Sequence, residues 1–323
     1  MLKVRLCFDD DGQPCEPKSD QEIRDVLSNP KALTWIDVDR DHLDSLKRFS
    51  DVIHLHPLAI EDATTPHQRP ITSRYGETIF VLFYELARES NDTIHAYPYS
   101  FFVGSNYVVT IRDIARSTLD GVAKRWHEFS EQVQNRNSGF LLYAMLDAIV
   151  DEYFPIIDSL GDRIEDLEEV IVNARNFTPQ RQVVGIRKEL FVIRRVLSPS
   201  REALNELIRR DTPLIDEETI TYMHDVYDHV LRVLDWLDAY RDMASTLFDM
   251  QLAMSSHRLD EIMRTLTVAS IILMVASLIA GIYGMNFKVM PELHWVLGYP
   301  MALGMMMLTG VLLALYFRHR RWL

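Results

Sequence analysis

The sequence predicts an α/β N-terminal domain, followed by a long helical stalk and two apolar C-terminal helices that cross a membrane. Three observations predict it. Short runs rich in Ile, Val, Phe and Tyr, divided by turn residues, fill the first 113 residues and then stop. Between Pro213 and Gly281 there is neither proline nor glycine, so about 67 residues, or roughly 100 Å, can run as one helix. Thr265–Phe287 and Val296–Phe317 carry no charged side chain. The first of these would rise about 34 Å as a helix, against a bilayer core of roughly 30 Å.

In chain order, Leu2–Phe8 alternates like a strand, Asp10–Pro17 reads as a turn-rich loop, and Trp35–Val38 as a short buried strand. Asp41–Leu55 has helical spacing, and His56-Pro57 opens a helix over Leu58–Ala63, because proline is tolerated in a first turn. Thr78–Leu86, Thr93–Val103 and Tyr107–Arg112 read as strands separated by Asn91-Asp92 and Gly104-Ser105-Asn106. This α/β domain spans residues 1–113.

Residues 114–264 read as helical. Ser117–Arg136 comes first, then Phe140–Ala174, whose far end carries Asp158, Asp162, Glu165, Asp166, Glu168 and Glu169 as a solvated face. After a turn at Pro179, Gln180–Leu197 runs back as a helix that Ser198-Pro199 breaks or bends. Met223, Val226, Val230, Val233, Leu237, Tyr240, Ala244, Leu247, Gln251 and Met254 then repeat in three-four steps. That is a coiled-coil-like seam, and a helix so long cannot bury it within one chain, which implies self-association around the stalk.

The remaining segments are a first membrane helix (265–287), an outer loop (288–295), a second membrane helix (296–317) and a basic tail (318–323). Arg318-His319-Arg320-Arg321 beside a membrane end favours the cytosolic side. Two spans then place the N-terminal part and the C-terminus together in the cytosol. Trp295 and Trp322 fit interfacial anchoring at opposite ends of the second span.

The chain carries a net charge of −13. From Arg264 onward there are five Lys or Arg and one acid, so the excess of acid lies in the part before the membrane. An acidic domain argues against nucleic acid as a partner and for cations or simple solubility. Cys7 and Cys15 form neither a disulfide framework nor a zinc site by spacing. The N-terminus lacks a long apolar signal region, so the soluble part is expected to stay where it is made. No P-loop, HExxH, nucleophile elbow or paired-cysteine motif points to an enzyme.

Stepping three and four residues from Asp260 into the first span, Met263, Thr267, Ser270, Met274, Ser277 and Gly281 fall on one narrow face of small, hydroxyl and thioether groups. Such a stripe reads as a packing seam between membrane helices or as the lining of a path. The helix ends in Tyr283-Gly284-Met285-Asn286. An asparagine there is ordinarily a helix cap.

The ending Tyr283-Gly284-Met285-Asn286-Phe287 is followed by Met290-Pro291-Glu292-Leu293, Trp295, Gly298-Tyr299-Pro300 and a basic C-terminus. This order resembles the CorA family of divalent-cation channels, whose hallmark is Gly-Met-Asn at the outer end of the first of two C-terminal membrane helices. Upstream, His56-Pro57-Leu58, Glu61-Asp62, His67-Gln68-Arg69-Pro70 and Asp225-Val226-Tyr227-Asp228 extend the resemblance.

The resemblance implies a funnel-shaped homopentamer in the cell inner membrane, with five first membrane helices around one pore. Beyond its own copies and membrane lipid it implies no partner. Gly284, Met285 and Asn286 would form the selectivity filter, and Asp260, Met263, Leu266, Thr267, Ser270, Met274, Ser277 and Gly281 would line the pore. Met263 and Leu266 match the family's hydrophobic constriction. Glu61, Asp62, Asp147 and Asp225 match carboxylates that bind regulatory Mg2+ between subunits. Arg318, Arg320 and Arg321 match a basic inner ring, and Glu292 lies in the outer loop. Asp260 and Ser277 depart from the pattern, standing where relatives carry Asn and Thr, which leaves ion choice open.

The function implied is passive Mg2+ influx, with Co2+ and Ni2+ as further transported ions. Two rivals stand beside it. The related zinc transporters, coupled to protons, usually carry Ile in place of Met285. A membrane-tethered sensor of divalent ions would share the acidic domain without moving ions.

Overall fold

The computed structural model describes residues 2–10, 12–53, 55–65, 68–90, 92–132, 137–173, 180–209, 212–286, 290–291, 295–320 and 322, with 127–132, 173 and 180 described by backbone alone. It divides into two units, Met1–Leu247 and Phe248–Leu323.

In the first unit, β1 (Leu2–Phe8), β2 (Leu33–Asp39), β3 (Ile71–Tyr75), β4 (Thr78–Arg88), β5 (Ile94–Val103) and β6 (Tyr107–Arg112) form one sheet in the order β1-β2-β6-β5-β4-β3. The β2–β6 pair is parallel and the others are antiparallel. Nearly every residue of β2, β4 and β6 is buried, the pattern of strands covered on both faces. The parallel pair is tied by a buried polar chain. Trp35 Nε1 donates to Thr110 Oγ1 at 3.0 Å, Thr110 donates to Asp37 at 2.7 Å, and Arg112 reaches the same carboxylate at 2.8 and 3.1 Å.

Two short elements escaped the periodicity reading: α1 (Asp20–Leu27), capped by Ser19, and β3. Arg40–Phe49 is a 3₁₀ segment rather than an α-helix, with His42 out of helical geometry. The α2 helix (Pro57–Thr64) starts at proline as expected, with the His56 ring accepting from the Leu58 amide at 3.2 Å. Cys7 and Cys15 are joined in a disulfide. Spacing alone left them apart; the turn between them brings them together, since Phe8 pairs with Pro14 and the Cys15 amide donates to the Cys7 carbonyl at 2.8 Å.

The helices that follow are α3 (Asp120–Gln132), α4 (Ser138–Asp151), α5 (Tyr153–Asn173), α6 (Gln180–Arg209) and α7 (Glu217–Tyr283). The expected single helix over Phe140–Ala174 is interrupted at Glu152, because Pro155 offers no amide to the Asp151 carbonyl and its ring crowds that oxygen. Pro199 does not end α6, which continues to Arg209. The expected turn at Pro179 lies outside the described residues. Helices dock on the sheet through the Tyr153 hydroxyl, which donates to the Tyr84 carbonyl, and Thr72, which donates to the Ala203 carbonyl at 2.9 Å. The acids of α5 from Asp158 to Glu169 are exposed.

Met223, Val226, Val230, Val233, Leu237, Ala244 and Leu247 on α7 are all buried within one chain. Gly161 on α5 shows how close the neighbouring helix comes, since a Cβ there would lie 2.4 Å from the Tyr240 hydroxyl. The seam as far as Leu247 is therefore filled internally, contrary to the expectation that it must be shared between copies. Self-association cannot rest on it.

In the second unit, the rest of α7 lies beside α8 (Gly298–His319). Both helices are long and apolar enough to cross a membrane.

A candidate ion path and a candidate cation cluster

The face that α7 turns to α8 is set by its branched apolar residues. Val268 is 2% exposed, Ile271, Ile272, Val275 and Ile279 are half-buried, and a Cβ at Gly310 would meet the Ile272 side chain at 3.6 Å. Asp260, Met263, Thr267, Ser270, Met274, Ser277 and Gly281 centre about 130° around the helix from that face, and every one is exposed. Leu266 is exposed as well. The stripe is thus not the seam that packs the two apolar helices of one chain. Thr267 donates its hydroxyl proton to the Met263 carbonyl at 2.7 Å. Its remaining lone pairs can only accept, which is what the outward-pointing hydrogens of a hydrated cation require.

After Tyr283 the chain leaves the helix. The Gly284 amide donates to the Ala280 carbonyl at 2.9 Å and the Met285 amide to Ile282 at 3.3 Å. Neither Gly284 nor Asn286 has a positive φ, so Asn286 is not the left-handed residue of a Schellman-type cap. Its side chain is exposed, with no hydrogen-bond partner among the described residues. Glu292 and Arg321 lie outside the described residues. Arg318 and Arg320 are exposed at the end of α8, with Arg320 5.8 Å above the Tyr316 ring. Trp322 folds back onto Phe317, donating its amide to that carbonyl at 2.9 Å.

In the first unit, a separate group of ligand-type atoms converges between α4 and α7. One oxygen of Asp147, one of Asp151 and a nitrogen of His229 lie within 4.8 Å of one another. The geometry follows from helical spacing, Asp151 standing four residues after Asp147 and His229 four after Asp225. His229 is 3.8 Å from the Asp225 carboxylate, and its Nδ1 is buried without a hydrogen-bond partner among the described residues. Burial pushes the Asp147 carboxyl up to about 6, and repulsion from Asp151 and Asp225 adds to this against the pull of His229 and Arg125. The neighbouring Tyr143 phenol is raised too, by burial and then by the charges of Asp147 and Asp225. Two oxygens and one imidazole nitrogen fit a divalent cation, and the nitrogen suits Co2+ or Ni2+ better than Mg2+.

Of the four predicted regulatory acids, the structure brings Asp147 and Asp225 to this cluster. It leaves Glu61 and Asp62 on α2, Glu61 exposed and Asp62 accepting from Gln68 at 3.2 Å. Sequence reasoning missed Asp151 and His229. The signal was available, since each stands one helical turn beyond a residue already singled out.

The sequence matches a family profile described as CorA-like Mg2+ transporter protein over residues 30–320. It is 32% identical over 292 residues to the cobalt/magnesium transport protein CorA of Thermotoga maritima, covering 90% of this chain and 83% of that one. In fold it resembles the complete structure of the CorA magnesium transporter from Methanocaldococcus jannaschii, with a TM-score of 0.79 and 23% identity, over 96% of this chain and 95% of that one. The ZntB cytoplasmic domain from Vibrio parahaemolyticus resembles it less, with a TM-score of 0.57 and 13% identity, over 72% of this chain and 95% of that one.

Proposed function

Because the chain belongs to the CorA family of Mg2+/Co2+ transporters, we propose that it is a passive influx channel for Mg2+, driven by membrane potential and also passing Co2+ and Ni2+. Copies assemble as a homopentamer in the cell inner membrane, with both termini cytosolic. The observation that carries this reading is the placement of the Met263–Gly281 stripe away from α8. Five such faces turned to a common axis make a path of hydroxyls, thioethers and glycine with no carboxylate between Thr265 and Phe287.

Mg2+ gives up its water reluctantly. A ring of Asn286 amide oxygens receives the hydrated ion, and Thr267, Ser270 and Ser277 accept hydrogen bonds from its waters on the way down. Outer-shell contact of this kind selects an ion and still releases it. Met263 and Leu266 form the narrow apolar ring that closes the path by excluding water. Asp260, at its inner end, concentrates cations, as Glu292 does outside. Arg318, Arg320 and Arg321 ring the cytosolic mouth.

Gating follows from the carboxylates. Asp147 and Asp225 from one subunit and Glu61 and Asp62 from its neighbour repel unless a cation joins them, so cytosolic Mg2+ favours the closed arrangement. The zinc/proton reading has a fold likeness behind it, but Met285 stands where those transporters usually carry Ile. A sensor without transport would leave the stripe without a role.

Ion flux into liposomes, over a panel of Mg2+, Co2+, Ni2+ and Zn2+, tests the proposal. Asn286→Ala abolishes Mg2+ flux, and Asp62→Asn with Asp225→Asn leaves flux insensitive to internal Mg2+. Undiminished flux in the first variant removes Asn286 from the filter, and unchanged inhibition in the second removes the sensor.

A further inference from the structure

A cleft of about 990 Å3 opens between the β4–β5 ribbon, the segment leaving α2, and α6. On α6 its rim carries Lys188, Phe191 and Arg195 at positions i, i+3 and i+7, one continuous helix face. Arg40, just beyond β2, and Arg69, after α2, complete the lining cations. Arg40 donates only to the Thr64 carbonyl, at 3.4 Å, and none of the four has a carboxylate partner among the described residues. Glu189 also lines the cleft, but Arg163 binds it at 2.7 and 2.9 Å and Arg88 lies 3.4 Å away. Its charge is already matched.

In a chain with a net charge of −13, four unmatched cations around one cleft repel one another until an anion joins them. In a second cleft, of about 810 Å3, lined also by Lys3, Lys18 and Lys124, the contrast lies in the arginines, which are matched. There Arg5 lies 3.0 Å from Asp37 and 3.1 Å from Asp120, and Arg48 lies 3.6 Å from Asp20.

The cations also converge. The charges of Arg40 and Arg195, from different elements, both act on the Tyr84 phenol, whose hydroxyl donates to the Gln68 carbonyl. Guanidinium forks match phosphate oxygens, and a lysine adds a mobile point charge. Phe191, between Lys188 and Arg195, is 67% exposed and offers a flat apolar face beside the cations.

We propose that this cleft binds a nucleoside polyphosphate, its phosphates held by Arg40, Arg69, Lys188 and Arg195 and its base laid against Phe191. The site lies in the first unit and does not depend on the ion path.

The test is equilibrium binding of ATP to the full chain in lipid nanodiscs, with and without Mg2+, alongside inorganic pyrophosphate and phosphoinositide-containing vesicles. Saturable ATP binding is expected, weakened about 100-fold by Lys188→Gln with Arg195→Gln, at about tenfold per cation lost. Phe191→Ala weakens ATP and leaves pyrophosphate unchanged. All three side chains are exposed, so an unaltered thermal midpoint serves as the folding control. Absent ATP binding, ATP affinity that survives the double substitution, or equal loss in Lys3→Gln with Lys124→Gln of the other cleft, overturns the site. Pyrophosphate binding as tight as ATP, or ATP affinity indifferent to Phe191→Ala, overturns the nucleoside assignment, and preference for vesicles over ATP overturns it in favour of a lipid headgroup.

Discussion

Replacing Asp147 by asparagine should make the metal-free protein more stable and at the same time remove its protection by divalent cations. The Asp147 and Asp151 oxygens lie within 4.8 Å. Two unit charges at that distance repel by about 1 kcal/mol in water and about 3.5 kcal/mol at an effective dielectric near 20. Asp151 is exposed, so the solvent-screened end of that range applies, about 1–2 kcal/mol. For a part of this size that is about 2–8 °C in thermal midpoint at pH 8.

The sign follows from the raised carboxyl. Its stabilising contribution is fully present below the ordinary carboxylate value, near pH 4, and is lost as pH rises through about 6. Native and variant midpoints should therefore lie closest near pH 4, separate progressively through pH 6 and differ most at pH 8. Cation binding runs the opposite way, because the metal needs Asp147 ionised, so native affinity for Co2+ falls about tenfold per pH unit below 6. At a Co2+ concentration about 100 times the dissociation constant, the native protein gains about 2.7 kcal/mol and the variant almost none. Thermal unfolding of the full chain in detergent, at both pH values and with and without Co2+, reads all of these effects. Equal midpoints at pH 8, or undiminished Co2+ protection in Asp147→Asn, would refute the reasoning.

Two further expectations concern the membrane helix and the sheet. With Cys7 and Cys15 replaced by serine, single cysteines at Ser270 or Ser277 should cross-link between copies under mild oxidant in native membranes, while Val268→Cys, on the face turned to α8, should not; the reverse pattern on a denaturing gel would show assembly through the wrong face. Asp37→Ala should lower the thermal midpoint by about 6–20 °C, from about 3–5 kcal/mol, because it takes the buried partner from an Arg112 side chain that is fully buried and leaves it the half-exposed Asp120 at 3.3 Å; a shift under about 3 °C would mean that Asp120 and the Arg116 carbonyl suffice.

Much of this was legible before any coordinates. The absence of charge from Thr265 to Phe287 and from Val296 to Phe317 suffices to mark two apolar helices, because transfer free energy is nearly additive along a chain. The strand runs declared themselves by β-branched and aromatic content, and β5 and β6 were read almost to the residue. The elements that were missed have little local signal. The α1 helix is eight residues long, and β3 (ITSRY) is a short, partly exposed edge strand with a mostly polar middle, and such segments are held by their neighbours rather than by propensity.

The sequence by itself determined that the long stretches after residue 113 are helical, which stretches are apolar, and which residues share the polar stripe, since these are consequences of composition and a fixed 3.6-residue period. Only the tertiary structure decided what each face meets. It assigned the α7 seam to the chain's own helices as far as Leu247, left the stripe clear of α8, joined Cys7 to Cys15 across a turn, and set His229 and Asp151 beside Asp147. Each of these is a meeting of residues that only packing brings together, and periodicity along one element carries no record of its neighbour.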